Sequence, residues 1–216
     1  MTLSPETASQ RAREICELAP IVPVLVIDDA ATARPLAEAL VAGGLPALEV
    51  TLRTPAALDA IAAMAEVPGG VVGAGTLITP EDVRAAKAAG AKFGVSPGAT
   101  DELLAACEYE RLPLLPGAAT ASEAMQLLAR GYNMLKFFPA EASGGAPALK
   151  AIGAPLPQIS FCPTGGVSPA NAESYLSLPN VVCAGGSWVA PADKVAAGDW
   201  AGIEGLACAA STLGRG

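Results

Sequence analysis

A chain of 216 residues, 52% of them apolar, is long enough for a single domain with its own core, and 13 basic against 21 acidic residues give it a net charge of −8. That balance, with no window in which Lys and Arg cluster among aromatics, argues against a nucleic-acid partner. The chain contains no histidine, which removes the commonest general base, the usual partner of serine and cysteine nucleophiles, and the commonest metal ligand.

The opening stretch MTLSPETASQRAREICELAP lacks the apolar core of a secretory signal and predicts a helix ahead of the first strand. Later apolar runs are broken by Gly, Pro or charge before they reach membrane-spanning length, so a cytoplasmic chain with no membrane partner is expected. Short β-rich runs then alternate with Ala-rich amphipathic segments. Strands are predicted at 23–27 (PVLVI), 46–53 (PALEVTLR), 70–76 (GVVGAGT), 92–97 (KFGVSP), 112–117 (LPLLPG), 134–140 (MLKFFPA), 158–166 (QISFCPTGG) and 181–187 (VVCAGGS). Helices are expected after each, with Pro, Ser or Thr near their starts and Gly after several ends. Eight such units with no linker or composition shift predict one α/β domain over residues 1–216, a (β/α)8 TIM barrel with an additional N-terminal helix; an open doubly wound sheet is the main competitor.

In a barrel strand, side chains alternate between the helix layer and the interior. In PALEVTLR one face carries Leu48, Val50 and Leu52, which must pack on helices, so Ala47, Glu49, Thr51 and Arg53 face inward. The alternative for this polar face is a structural Glu-Arg pair, or an Arg already in the loop. The following strand ends in Gly73, Gly75 and Thr76, and such glycines allow a ligand close approach to the backbone. They do not make a dinucleotide fingerprint, because no third glycine opens the helix.

Of the five lysines, Lys92 stands at the start of a predicted strand and only Lys136 lies inside one, on the face of Met134 and Phe138. Desolvation among aromatics disfavours an ammonium and yields a neutral amine able to attack a carbonyl. The competing role is a structural ion pair with Glu49. Glycine pairs also mark the last two strands, TGGVSP at 164–169 and GGSW at 185–188, where this fold commonly holds a phosphate on helix N-terminal amides. Either pair alone would be an ordinary tight turn. Asp28 and Asp29 are better helix caps than magnesium ligands beside Glu49. The five cysteines are scattered singly, without ligand spacing, and Cys162 and Cys183 have no evident basic partner, so all are expected to pack as reduced thiols.

Read together and in order over residues 20–191, LEVTLRTP, VGAGT, SPG, KFFPAE, FCPTGGVSPAN and GGSW closely resemble the 2-keto-3-deoxy-6-phosphogluconate aldolase family of the Entner-Doudoroff pathway. The resemblance implies a metal-free, cofactor-free Schiff-base lyase in a trimeric (β/α)8 barrel, acting on a phosphorylated keto acid. It implies that Lys136 forms the imine, Glu49 shuttles protons, and Arg53 and Thr76 hold the substrate carboxylate. Pro97, Phe138 and Thr164 would line the pocket, with Gly165, Gly166, Gly186 and Ser187 at the phosphate. Cleavage of 4-hydroxy-2-oxoglutarate or of the phosphogalactonate epimer is the nearest alternative. A phosphosugar isomerase would not need the imine, and a noncatalytic phosphate-binding barrel would not need Lys136 with Glu49.

Overall fold

The computed structural model describes residues 2–214. Helix α1 (Pro5–Cys16) leads into strands β1 (Ile21–Leu25), β2 (Ala47–Thr51), β3 (Val71–Gly75), β4 (Phe93–Val95), β5 (Leu114–Leu115), β6 (Gly117–Ala118), β7 (Met134–Phe137), β8 (Ser160–Pro163) and β9 (Ala184–Gly186). Between and after them lie α2 (Ala33–Ala42), α3 (Ala57–Ala65), α4 (Pro80–Ala88), α5 (Asp101–Glu110), α6 (Ala121–Arg130), α7 (Gly145–Gly153), α8 (Ala172–Leu176), α9 (Ala192–Ala197) and α10 (Trp200–Ser211). Each strand predicted from sequence has its counterpart. The fifth is split into β5 and β6 at Pro116, which has no N–H to give to a ladder but whose carbonyl accepts from the Lys136 amide at 2.9 Å.

All ladders are parallel, in two sheets ordered β5-β4-β3-β2-β1-β9 and β6-β7-β8. Single bridges, Phe161 to Val181 and Thr164 to Gly185, tie β8 to the β9 segment. Val22, Ala47, Phe93, Val95, Leu115, Met134 and Cys162, drawn from both sheets, form one apolar cluster, so the strands curl around a shared inner face. A much larger cluster fills the space between strands and helices.

The period-2 pattern determines which side chains reach the inner face. In β2, Leu48 and Val50 join the outer cluster and Ala47 the inner one; in β7, Leu135 and Phe137 go outward and Met134 inward. Glu49 and Lys136 therefore share the inner face, as the alternation requires.

Helix α1 begins at a Ser4 cap with Pro5 in its first turn, and it seats on the N-terminal ends of β7 and β8. The buried Ser9 hydroxyl accepts from the amides of Asn133 and Met134, both at 2.9 Å, and Arg13 donates to the Ser160 hydroxyl at 2.9 Å. At the other end of the chain α10 packs against α2, where a Cβ on Gly43 would meet the Ala207 Cβ at 2.4 Å. No helix among the described residues is long and apolar enough to cross a membrane.

Candidate active site

Lys136 and Glu49 are 5% and 3% exposed, and the lysine Nζ lies 3.2 Å from Glu49 Oε1. Nζ also sits 5.2 Å from the centroid of the Phe138 ring, within cation-π reach. Burying either charge alone is costly; burying them together offsets much of that cost. The two roles that the sequence allowed for Lys136, nucleophile and ion-pair partner, thus converge on one geometry.

Two glycines on the neighbouring strand make room on this face, one for the carboxylate and one for an aromatic ring. A Cβ on Gly75 would lie 2.3 Å from Glu49 Oε1, and one on Gly73 would lie 2.5 Å from the Phe93 ring. The space expected for a ligand against β3 is therefore filled by the protein's own side chains, because β2 and β4 aim a carboxylate and an aromatic ring at it. Just beyond, Arg53 Nε donates to Thr76 Oγ1 at 3.2 Å. Thr76 has φ of 63°, an unfavourable region for a β-branched residue, so the surrounding structure holds it there at a cost. Arg53 and Thr76 are brought together at the C-terminal ends of β2 and β3, on the side where Glu49 emerges. Thr51 ties β2 to β1 through the Leu25 carbonyl at 3.0 Å.

The turn after β8 packs against the segment that follows Lys136. Cβ positions on Gly165 would touch the Phe138 ring at 3.3 Å, and both Gly165 and Gly166 have positive φ, 101° and 82°. Thr164, 6% exposed, lies over Gly185, whose Cβ would be 2.3 Å from Thr164 Oγ1. Pro97 reaches the same region through its backbone: its carbonyl oxygen would be 2.2 Å from a Cβ on Gly117, the residue in register with Lys136.

Two expectations about the glycine pairs require correction. Gly185 and Gly186 belong to β9 and not to a turn, and Gly186 is glycine because the Trp188 ring occupies the place of its Cβ, with a closest carbon at 2.0 Å. Nor do helix N-termini follow at once. Helix α8 begins at Ala172, after a turn over residues 168–171 in which the Ser168 amide donates to Asn171 Oδ1 at 2.7 Å; α9 starts only at Ala192. Any anion at these loops would meet turn amides. Ser187 is exposed and opens onto a groove of about 700 Å³ lined by Val26, Asp28, Trp188 and Val195 among others, a groove that Lys136 and Glu49 do not line. Asp29 caps the short helical turn Ala30–Thr32 through the Ala31 amide at 2.9 Å, as expected.

Three cysteines far apart in sequence, Cys16, Cys162 and Cys183, gather in the inner cluster, and Cys162 is in register with Lys136. Hydrogen bonding with Cys16 and then Cys183 holds the Cys162 thiol well below its usual value, and the Lys136 charge adds to this. Cys16 and Cys183 are pushed the other way. The expectation that Cys162 has no basic neighbour is thus overturned: only tertiary pairing of β7 with β8 brings Lys136 alongside. Sequence reasoning also gave no role to Glu141. It ends the KFFPAE motif, and its side chain fills the space beside Gly166, where a Cβ would lie 2.5 Å from Glu141 Cγ.

Comparison with known proteins bears on this geometry. A family model described as KDPG and KHG aldolase matches residues 12–206. A 2-dehydro-3-deoxy-phosphogluconate aldolase of Pseudoalteromonas atlantica is 55% identical over 91% of this chain and 92% of its own. The 2-keto-3-deoxy-6-phosphogluconate aldolase of Zymomonas mobilis, solved with 3-phosphoglycerate, superposes with a TM-score of 0.92 at 50% identity, covering 96% of this chain and 98% of that one. The KDPG aldolase of Legionella pneumophila, solved with pyruvate captured as a covalent carbinolamine, superposes with a TM-score of 0.89 at 47% identity, covering 97% and 98%.

Proposed function

The chain belongs to the KDPG and KHG aldolase family, and we propose that its buried Lys136 carries out Schiff-base cleavage of 2-keto-3-deoxy-6-phosphogluconate to pyruvate and glyceraldehyde 3-phosphate. The observation that carries this reading is the pairing of Lys136 Nζ with Glu49 Oε1 at 3.2 Å on an inner face closed to bulk water. Proton transfer within the pair gives the neutral amine, which adds to the C2 ketone; Glu49 returns that proton to the departing hydroxyl, so that water leaves, a protonated imine remains and Glu49 is again a carboxylate. Glu49, directly or through a water, takes the C4 hydroxyl proton; the C3–C4 bond breaks, its electrons pass to the iminium, and the aldehyde departs from an enamine. Glu49 returns a proton to C3, and water hydrolyses the imine to free pyruvate and Lys136. The iminium is the electron sink, so the reaction as written calls on no metal ion or other cofactor.

Arg53 and Thr76 take the substrate carboxylate in this reading, the guanidinium supplying charge that the acidic protein as a whole does not. Pro97, Phe138 and Thr164 line the pocket. The phosphate goes to the turn at Gly165 and Gly166 and to the end of β9 at Gly186 and Ser187. The parallel sheets and the two single bridges that join the β8 and β9 segments support one eight-stranded (β/α)8 barrel in a single domain over residues 1–216, with β5 and β6 as halves of one strand. Val26 and Ile78, exposed beyond β1 and β3, offer apolar surface for subunit contact in a homotrimer. A cytoplasmic enzyme of the Entner-Doudoroff pathway completes the proposal.

The test is release of pyruvate from 2-keto-3-deoxy-6-phosphogluconate by the purified chain. Release that disappears in Lys136→Ala supports the proposal; no release, or release that survives the substitution, contradicts it. The family description also covers cleavage of 4-hydroxy-2-oxoglutarate, which uses the same imine but presents no phosphate.

A further inference from the structure

Behind the Gly165-Gly166 turn lies a side-chain pair that the mechanism does not use. Beyond β7 the pairing with β8 continues: the Ala140 amide donates to the Thr164 carbonyl at 2.9 Å and the Glu141 amide to the Gly165 carbonyl at 3.0 Å. The Glu141 side chain then runs past Gly166, whose absent Cβ would lie 2.7 Å from Glu141 Cβ, and its Oε1 accepts a hydrogen bond from the Tyr175 hydroxyl. Tyr175 sits on α8 with its side chain fully buried. On the turn's far side Asn171 Nδ2 donates to the Gly166 carbonyl at 3.0 Å. The turn is thus gripped from both sides.

A carboxylate is an odd neighbour for a turn meant to receive an anion. Two unit charges of the same sign at close range repel by about 1 to 4 kcal/mol, depending on how much water lies between them. Here the carboxylate is drawn away toward α8. Burial and the adjoining Glu141 both push the Tyr175 hydroxyl above its ordinary value, so it stays a neutral donor throughout the working pH range.

We infer that Tyr175 is a positioning residue for the phosphate turn: its hydroxyl ties the Glu141 carboxylate back, which fixes the turn and keeps a negative charge out of the anion's path. The inference rests on the proposed placement of the phosphate at Gly165 and Gly166. Losing one charge-assisted hydrogen bond is worth roughly a tenfold change or more in binding. Tyr175→Phe keeps the ring, removes the tether, and should raise KM for 2-keto-3-deoxy-6-phosphogluconate about tenfold with little change in kcat.

The experiment measures kcat and KM on 2-keto-3-deoxy-6-phosphogluconate and on its unphosphorylated analogue, for the wild-type chain, Tyr175→Phe, and Tyr175→Phe combined with Glu141→Gln. Pyruvate trapping on Lys136 with borohydride serves as the check that each variant is folded. The expected result is a KM rise confined to the phosphorylated substrate in Tyr175→Phe, reversed in large part when Glu141→Gln removes the loose charge. A wild-type preference for the phosphorylated substrate that survives Tyr175→Phe overturns the inference and leaves the phosphate placement standing. So does a KM rise that Glu141→Gln does not relieve, or a variant that no longer traps pyruvate, since either makes Tyr175 a general structural residue. A wild-type chain without any preference removes the phosphate placement, and the inference with it.

Discussion

A Cβ on Gly75 would lie 2.3 Å from Glu49 Oε1, so the last residue of β3 is glycine because the Glu49 carboxylate needs that volume to meet Lys136. Gly73, one turn of the pleat earlier, does the same for the Phe93 ring. The two glycines look alike in sequence and serve different ends. Gly75→Ala should cost about 1–3 kcal/mol of stability from overpacking, and by displacing Glu49 it should slow cleavage by about 10²- to 10⁴-fold, the worth of a positioned acid-base group. Gly73→Ala should lose comparable stability while retaining most turnover. Chemical denaturation and kcat on both variants check this; equal losses of turnover would mean that neither glycine is specific to the carboxylate.

Removing one member of the buried ion pair should separate catalysis from stability. Lys136→Ala abolishes turnover and leaves Glu49 buried without its partner, at a cost of about 3–5 kcal/mol. Lys136→Met with Glu49→Gln leaves no charge on the inner face and should recover much of that stability while remaining inactive. Glu49→Gln alone should still trap pyruvate but cleave about 10²- to 10⁴-fold more slowly. Thermal melts alongside single-turnover assays distinguish these; a Lys136→Ala protein as stable as wild type would show that the pair contributes nothing to the fold.

How much of this could be read from residues alone depended on whether the signal was local. The alternation in ALEVT sets Glu49 on the inward face and that in MLKF sets Lys136 on the face of Met134, and the structure turns both faces inward, because a two-residue period survives any tertiary arrangement. The resemblance carried by KFFPAE and FCPTGG likewise ran with the chain. What was misread depended on neighbours distant in sequence. Gly73 and Gly75 read in sequence as room for a ligand, whereas Phe93 and Glu49 from flanking strands fill it. Gly186 reads in sequence as a turn residue, whereas Trp188 needs its space. Cys162 lacked a basic partner in sequence and acquired Lys136 only through strand pairing. No local pattern foretells the left-handed conformation of Thr76 or the hydroxyl that Tyr175 lends to Glu141.

Phosphate recognition separates the two reactions named by the family. If the loops at Gly165, Gly166 and Ser187 each donate to the phosphate, its loss removes several charge-assisted hydrogen bonds of about 1.5–3 kcal/mol each. The kcat/KM for 2-keto-3-deoxy-6-phosphogluconate should then exceed that for 4-hydroxy-2-oxoglutarate by at least about 100-fold. Competition between the two substrates, with products followed by NMR, gives the ratio directly; equal values would favour the hydroxy-oxoglutarate activity. Substitutions at Gly166 or Gly186 are poor probes, because they would push Glu141 or Trp188 aside whether or not a phosphate binds.

The central claim is that Lys136 is the residue that joins covalently to the substrate. Incubating the protein with pyruvate and borohydride, then mapping the adduct by peptide mass spectrometry, tests it most directly. One reduced pyruvate per chain is expected, on the peptide containing Lys136. Labelling of Lys92 or Lys150 in place of Lys136, or no adduct at all, would contradict the imine mechanism.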